Sequence, residues 1–138
     1  MGLLGLLWGT HVVSTPFPRL ALTAHIQAMG NGTMLTALGL VLRQTDLLSL
    51  NPIQSAIVYY GLNATWAPTI SEALNSYWGA KQVLPISAQQ AGATGAAAWQ
   101  EHIVTAAHLI PVLFIVPPFA VLSWELFFGT RPSGHAKK

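Results

Sequence analysis

The chain contains no cysteine. This excludes disulfides, thiolate metal centres, thioether-linked haem and a cysteine nucleophile, and it leaves the redox compartment unread. Charge is almost as scarce. Asp, Glu, Lys and Arg make up 7% of 138 residues, against about a quarter in an ordinary soluble domain. A soluble fold of this size could not cover its surface with so few charges. Six Lys and Arg against four Asp and Glu give a net charge of +2. That is too few cations for a nucleic-acid surface, so no nucleic-acid partner is expected. Disorder is excluded as well, because disordered chains are poor in apolar residues and this one is 52% hydrophobic. Hydrolase elbows, phosphate loops, His-Glu-x-x-His zinc motifs and dinucleotide fingerprints are missing, so ordinary nucleophilic catalysis has no support. The apolar start Met1–Trp8 has no positive n-region and no clean small-residue cleavage site after it, so no signal peptide is expected. There is no internal repeat.

What is present reads as an integral membrane protein. Mean hydropathy is +0.49, and the length suits one domain. Residues 20–42 carry no charge and stand between Arg19 and Arg43; a helix needs about 20 such residues to cross the hydrocarbon core. Residues 53–70 form a second uncharged run, opened by the helix-start signal Asn51-Pro52. Residues 103–124 form a third, which Pro111 and Pro117-Pro118 should kink. The first segment is short, broken by Ser14-Thr15-Pro16-Phe17-Pro18, and is expected as a short or tilted span. The expectation is an all-α, four-transmembrane-helix bundle over 1–138, with spans of about 1–14, 19–42, 52–71 and 102–128. Residues 72–101 form a loop whose small-residue second half lies on the bundle or acts as a lid, and 129–138 form a polar tail. Four spans put both termini on one side with Arg43, Arg131, Lys137 and Lys138, against Arg19 and Lys81 opposite. The positive-inside rule then places both termini in the cytoplasm.

Polar residues at membrane depth usually face the bundle interior or a cavity. His25 lies inside the second span, and helical spacing sets Met29 and Gly32 on its stripe. Such a His either hydrogen-bonds a neighbouring helix or presents its imidazole to a flat ligand past small or soft neighbours. Asn31-Gly32 and Asn63 are either glue between helices or polar groups of a site. Tyr59, Tyr60, Tyr77, Trp78, Trp99 and Trp124 suit an interfacial belt. Glu101 and His108 share a face. They are either a solvated helix start with a packed His, or a second ligand or proton relay.

The stretch Pro18-Arg19-Leu20-Ala21-Leu22-Thr23-Ala24-His25, followed by Asn31-Gly32, resembles the family of small membrane isomerases that includes hydroxylaminobenzene mutases and styrene oxide isomerases. The shared signature is Ala24-His25, five residues, then Asn31-Gly32, with Tyr60-Gly61-Leu62-Asn63 in the next span. The resemblance covers roughly residues 3–66, and the fourth span by hydropathy alone. It implies a four-helix membrane bundle assembled as a homotrimer. It implies haem b held through His25, beside Met29 and Gly32, with His25 as the metal ligand. It also implies that Asn31 and Asn63 line the substrate pocket. In the epoxide isomerases a Tyr follows the third-span Asn by one turn; here that position is Ala67. The first connection is also short, as in the mutase branch.

The function this implies is a haem-dependent rearrangement of an aryl hydroxylamine to a 2-aminophenol through Lewis-acid action of ferric iron. Asn31 and Asn63 would orient oxygen and nitrogen, with Tyr60 and Trp66 as walls for the ring, and a dry pocket would exclude water. The expected partners are a small aromatic substrate and membrane lipid. The alternatives are an epoxide-to-aldehyde isomerase, a b-type electron carrier ligated by His25 and His108, and a membrane module without cofactor whose polar residues only join helices.

Overall fold

A computed structural model describes residues 1–44 and 47–129, and every regular element in it is helical. Arg131, Lys137 and Lys138, which enter the orientation expectation, lie outside the described residues. The elements are α1 (Gly2–Gly9), a 3-10 turn (Val12–Ser14), α2 (Pro18–Leu42), α3 (Pro52–Asn63), α4 (Trp66–Trp78), α5 (Pro85–Gln90) and α6 (Ala98–Phe128).

Glycine lets α1 lie unusually close to α2. Gly2, Gly5 and Gly9 fall on one face of α1 against α2, and at Gly5 and Gly9 a β-carbon would intrude. At Gly5 a β-carbon would sit 2.9 Å from Ala28 and 3.2 Å from the Met29 sulfur. At Gly32 it would collide with the backbone of Gly2. Ala21, Ala24 and Ala28 extend the small-residue seam on the α2 side, and all are buried. Such seams favour close backbone approach where lipid leaves no hydrophobic drive between helices. Trp8 fastens the seam by donating from its indole Nε1 to the Ala21 carbonyl at 2.9 Å.

The expected third span is two helices, and Pro68 explains the break. Proline has no N–H, so the Ala64 carbonyl cannot receive the usual bond from residue 68. It accepts instead from Ala67 at 3.2 Å, and Thr65 N donates back to the Leu62 carbonyl at 3.3 Å. The chain keeps right-handed helical dihedrals through Ala64 and Thr65 but tightens into 3-10-type bonds. The helix then continues to Trp78, so the expected loop begins seven residues later than its assigned start at Glu72 and itself contains α5.

Helix α4 is turned inside out relative to a soluble helix. Its buried residues are Pro68, Thr69, Ser71, Glu72, Asn75 and Ser76. Its Ile70, Leu74 and Tyr77 are exposed. In water the apolar face would be the buried one. An apolar cluster of Leu48, Val58, Leu62 and Leu122 joins the other end of the bundle, packed by Leu35 and Leu38 of α2.

Helix α6 runs 31 residues through Pro111, Pro117 and Pro118. Among the described residues it is the one helix both long and apolar enough to cross a membrane by itself. Much of it is bare: Leu113 is 74% and Phe127 80% exposed. Its start is held by Glu101, which is 4% exposed. That carboxylate accepts backbone N–H groups from Lys81, Gln82 and Ala96 at 2.9–3.1 Å. At its far end Glu125 accepts from the Gln54 side chain at 2.6 Å. Gln54 also closes a reciprocal cap with Asn51 at the start of α3.

Candidate functional site

His25 sits on the face of α2 that meets α1. Its Nδ1 is 2.8 Å from the Gly5 carbonyl oxygen. A carbonyl can only accept, so Nδ1 carries the proton and Nε2 of the neutral ring keeps a free lone pair. The ring lies under Gly9, where a β-carbon would come within 2.8 Å of Cε1 and Nδ1. The glycines of α1 therefore both admit the ring and fix its tautomer. An N–H tied to a backbone carbonyl is the usual support of a metal-binding imidazole. Among the described residues no three His, Asp or Glu side chains converge on one point. The arrangement suits a group held by one imidazole, not a polydentate metal cage. Met29 and Gly32 occupy the same seam, Met29 against Gly5 and Gly32 against Gly2.

A cavity of about 140 Å³ lies between α1, α2 and α4; His25 is not one of its walls, but Gly5, whose carbonyl accepts from the His25 ring, is. Trp8, Ala24, Ala28, Trp66, Thr69 and Ala73 are among its walls. An apolar cavity of about 150 Å³ accepts benzene, so this one has room for a single aromatic ring. Asn31 reaches its edge, donating from Nδ2 to the Thr69 hydroxyl at 3.1 Å. Thr69 in turn donates to the Thr65 carbonyl at 2.8 Å. This chain of bonds fixes the Asn31 amide and leaves its Oδ1 free to accept.

Asn63 and Tyr60 sit elsewhere. Asn63, the last residue of α3, donates to the Tyr59 carbonyl one turn back at 2.8 Å and is exposed. Tyr60 is 69% exposed, edge-on to Tyr59. Within one chain the structure groups His25, Met29, Gly32, Asn31 and Trp66 around α1 and α4, and leaves Asn63 and Tyr60 on the outer surface.

Three features were not singled out from the sequence. Trp8 and Thr69 line the cavity. Glu72, assigned to the start of a loop, is buried on α4 at 1% exposure. It faces His108, whose Nε2 is 3.4 Å from Oε2. His108 Nδ1 lies 2.7 Å from the Val104 carbonyl, so this ring is bonded on one side and turned toward Glu72 on the other. The polar spacing Thr65, Thr69, Glu72, Ser76 was the available signal, an unbroken stripe on one helix face.

Residues 1–127 match the family model described as styrene oxide isomerase. The chain is 34% identical over 126 residues to hydroxylaminobenzene mutase HabB of Ectopseudomonas oleovorans, a match covering 90% of this chain and 73% of that protein. No solved structure matches it.

Proposed function

Since the chain belongs to the styrene oxide isomerase family and is an isomerase, we propose that it is a multi-pass membrane enzyme that rearranges an aryl hydroxylamine to a 2-aminophenol with haem b held by His25. The observation that supports the reading is the bond from His25 Nδ1 to Gly5, which leaves the Nε2 lone pair available to a flat group. When bound, ferric haem supplies Lewis acidity toward the substrate oxygen. The chain supplies the rest. The cavity, which shares Gly5 with the bond from His25, would take the ring between Trp8 and Trp66. Asn31, aligned by Thr69, offers Oδ1 to an N–H or O–H of the substrate. The apolar walls exclude water, which would otherwise trap cationic character developing on the ring. N–O cleavage, C–O formation and the proton shift from ring carbon to nitrogen balance within one molecule, so no cosubstrate is needed.

The inside-out face of α4 supports a lipid environment, because its buried side is polar and its outer side apolar. So does the exposed apolar length of α6. We read α2, the α3–α4 pair and α6 as spans. Helix α1, about 12 Å long at 1.5 Å per residue, is a partial span lying on α2. Both termini are assigned to the cytoplasmic side. Asn63 and Tyr60 would be costly against lipid. A homotrimer that covers them with a neighbouring copy removes that cost and brings Asn63 toward a site.

The second reading, isomerisation of an aryl epoxide to an aldehyde, draws its support from the description of the matching family. The placement of His108 gives the bis-His carrier no support. Purified protein, incubated with phenylhydroxylamine or with styrene oxide and no cosubstrate, separates the readings. 2-Aminophenol from the first is expected. Aldehyde from the second alone would favour the epoxide reading, and no product from either would remove both. A Soret band in the wild type that is absent from His25→Ala tests the haem assignment.

A further inference from the structure

Between α4 and α6 lie a carboxylate and an imidazole that the isomerisation does not use. The side chain of Glu72 is 1% and that of His108 14% exposed, and His108 Nε2 stands 3.4 Å from Glu72 Oε2. His108 Nδ1 lies 2.7 Å from the Val104 carbonyl, which can only accept. The ring proton of the neutral imidazole is therefore on Nδ1, and Nε2 turns a lone pair toward Glu72. Among the described residues, neither Glu72 oxygen has a hydrogen-bond partner. The hydroxyls of Ser71 and Thr105, on the same two helices, are buried and also unpartnered, so neither reaches it.

Proton counting leaves one acceptable state. With no proton between the two groups, a carboxylate faces a lone pair out of reach of water. With two, a carboxylic acid faces an imidazolium whose charge nothing balances. With one, a donor meets an acceptor and the pair is neutral as a whole. Other titratable groups on the packed elements are committed elsewhere. Glu101 holds the N–H groups of Lys81, Gln82 and Ala96. His25 is bonded to Gly5, Arg19 to Gln90, Tyr77 of α4 to His11 and Glu125 of α6 to Gln54, and His102 is exposed. The pair also stands off the catalytic cavity, which α4 lines with Trp66, Thr69, Ile70 and Ala73.

We propose that Glu72 and His108 hold a single proton between them, and that this proton locks α6 onto α4. The proton stays in the pair as carboxylic acid beside imidazole or as carboxylate beside imidazolium. Raising the pH until it leaves puts an unpaired charge at the α4–α6 contact and loosens it. The proposal does not depend on which substrate the enzyme rearranges.

The test uses the full chain in detergent, with thermal unfolding followed from neutral to alkaline pH. The wild type should lose about 5 °C of Tm as the pair gives up its proton, a shift of ordinary size for one buried contact. Glu72→Gln should not show that loss, because its amide N–H donates to Nε2 at any pH. Equal alkaline losses in both proteins would overturn the proposal. Infrared spectra and 15N-histidine NMR of the wild type at neutral pH decide independently of whether the variant folds. Either a protonated Glu72 carboxyl or a protonated His108 Nε2 is expected. Finding both, or neither, would overturn it.

Discussion

Gly61 of α3 lies directly against Pro118 of α6, so close that a β-carbon at 61 would collide with the proline ring and with the Phe114 carbonyl. The two residues belong together. Pro118 has no N–H to give that carbonyl, and the bare glycine lets the α3 backbone fill the space the missing bond leaves.

Gly61→Ala should therefore cost about 1–3 kcal/mol, the usual penalty for overpacking. Gly30 and Gly39 on α2 have nothing within 4 Å of the site a β-carbon would take. Alanine there should instead stabilise by about 0.5–1 kcal/mol through helix propensity. Denaturant or thermal unfolding of the three variants measures the contrast. Equal effects would remove the close approach of α3 to α6.

If His25 holds haem as proposed, Gly9→Ala should disturb its binding without replacing the ligand. The new methyl would come within 2.8 Å of the His25 ring, forcing the imidazole to move. Haem occupancy, read from the Soret band against protein concentration, should fall, while the exposed His102→Ala keeps full occupancy. His25→Gly should lose haem, and added imidazole should restore part of it. A Gly9→Ala protein with wild-type occupancy and spectrum would argue against the seam as the support of the ligand.

Filling the cavity should weaken substrate binding and leave haem alone. Ala73→Leu adds three carbons to a space of about 140 Å³. KM should rise about tenfold, corresponding to about 1.4 kcal/mol of lost ring burial. Steady-state kinetics on haem-replete protein reads the change. An unchanged KM would move the ring out of this cavity.

Asn31 and Asn63 should separate by mechanism. Asn31→Ala should retain haem and lower kcat by about 10–100-fold, as expected for one aligned polar group in a dry site. Thr69→Val, which frees the Asn31 amide and turns one polar wall of the cavity apolar, should cost less. Asn63→Ala should show a comparable loss in the assembled enzyme. Unchanged turnover there would reduce Asn63 to a bond with its own helix.

The boundaries of α2 and the start of α3 were legible in the sequence because their signals are local. Arg19 and Arg43 bracket an uncharged run, and the helix ends with Arg43 as its cap. Asn51-Pro52 announces a start, and Asn51 caps α3 there. The stripe of His25, Met29 and Gly32 was equally local, since period alone sets it. What it faced was not. That Gly5 would accept from His25, or Thr69 from Asn31, depends on residues 20 and 38 positions away. Glu72 was misjudged because counting charges ends a span at the first carboxylate. A carboxylate that brings its own partner from another helix can remain inside. The break before α4 was present in the sequence as Pro68, but within an uncharged run it read as part of one continuous helix.

The grip of Glu101 on Lys81, Gln82 and Ala96 closes a ring at the foot of α6. One carboxylate thus clasps both ends of segment 83–95 and joins them to the helix that follows. What lies between the ends meets the bundle through α5, where Ala88 is buried and Arg19 donates to Gln90. Around Gly92, where a β-carbon would meet nothing within 4 Å among the described residues, added sequence should leave the bundle in place. It is the natural place to graft an epitope or a fluorophore beside the bare apolar length of α6.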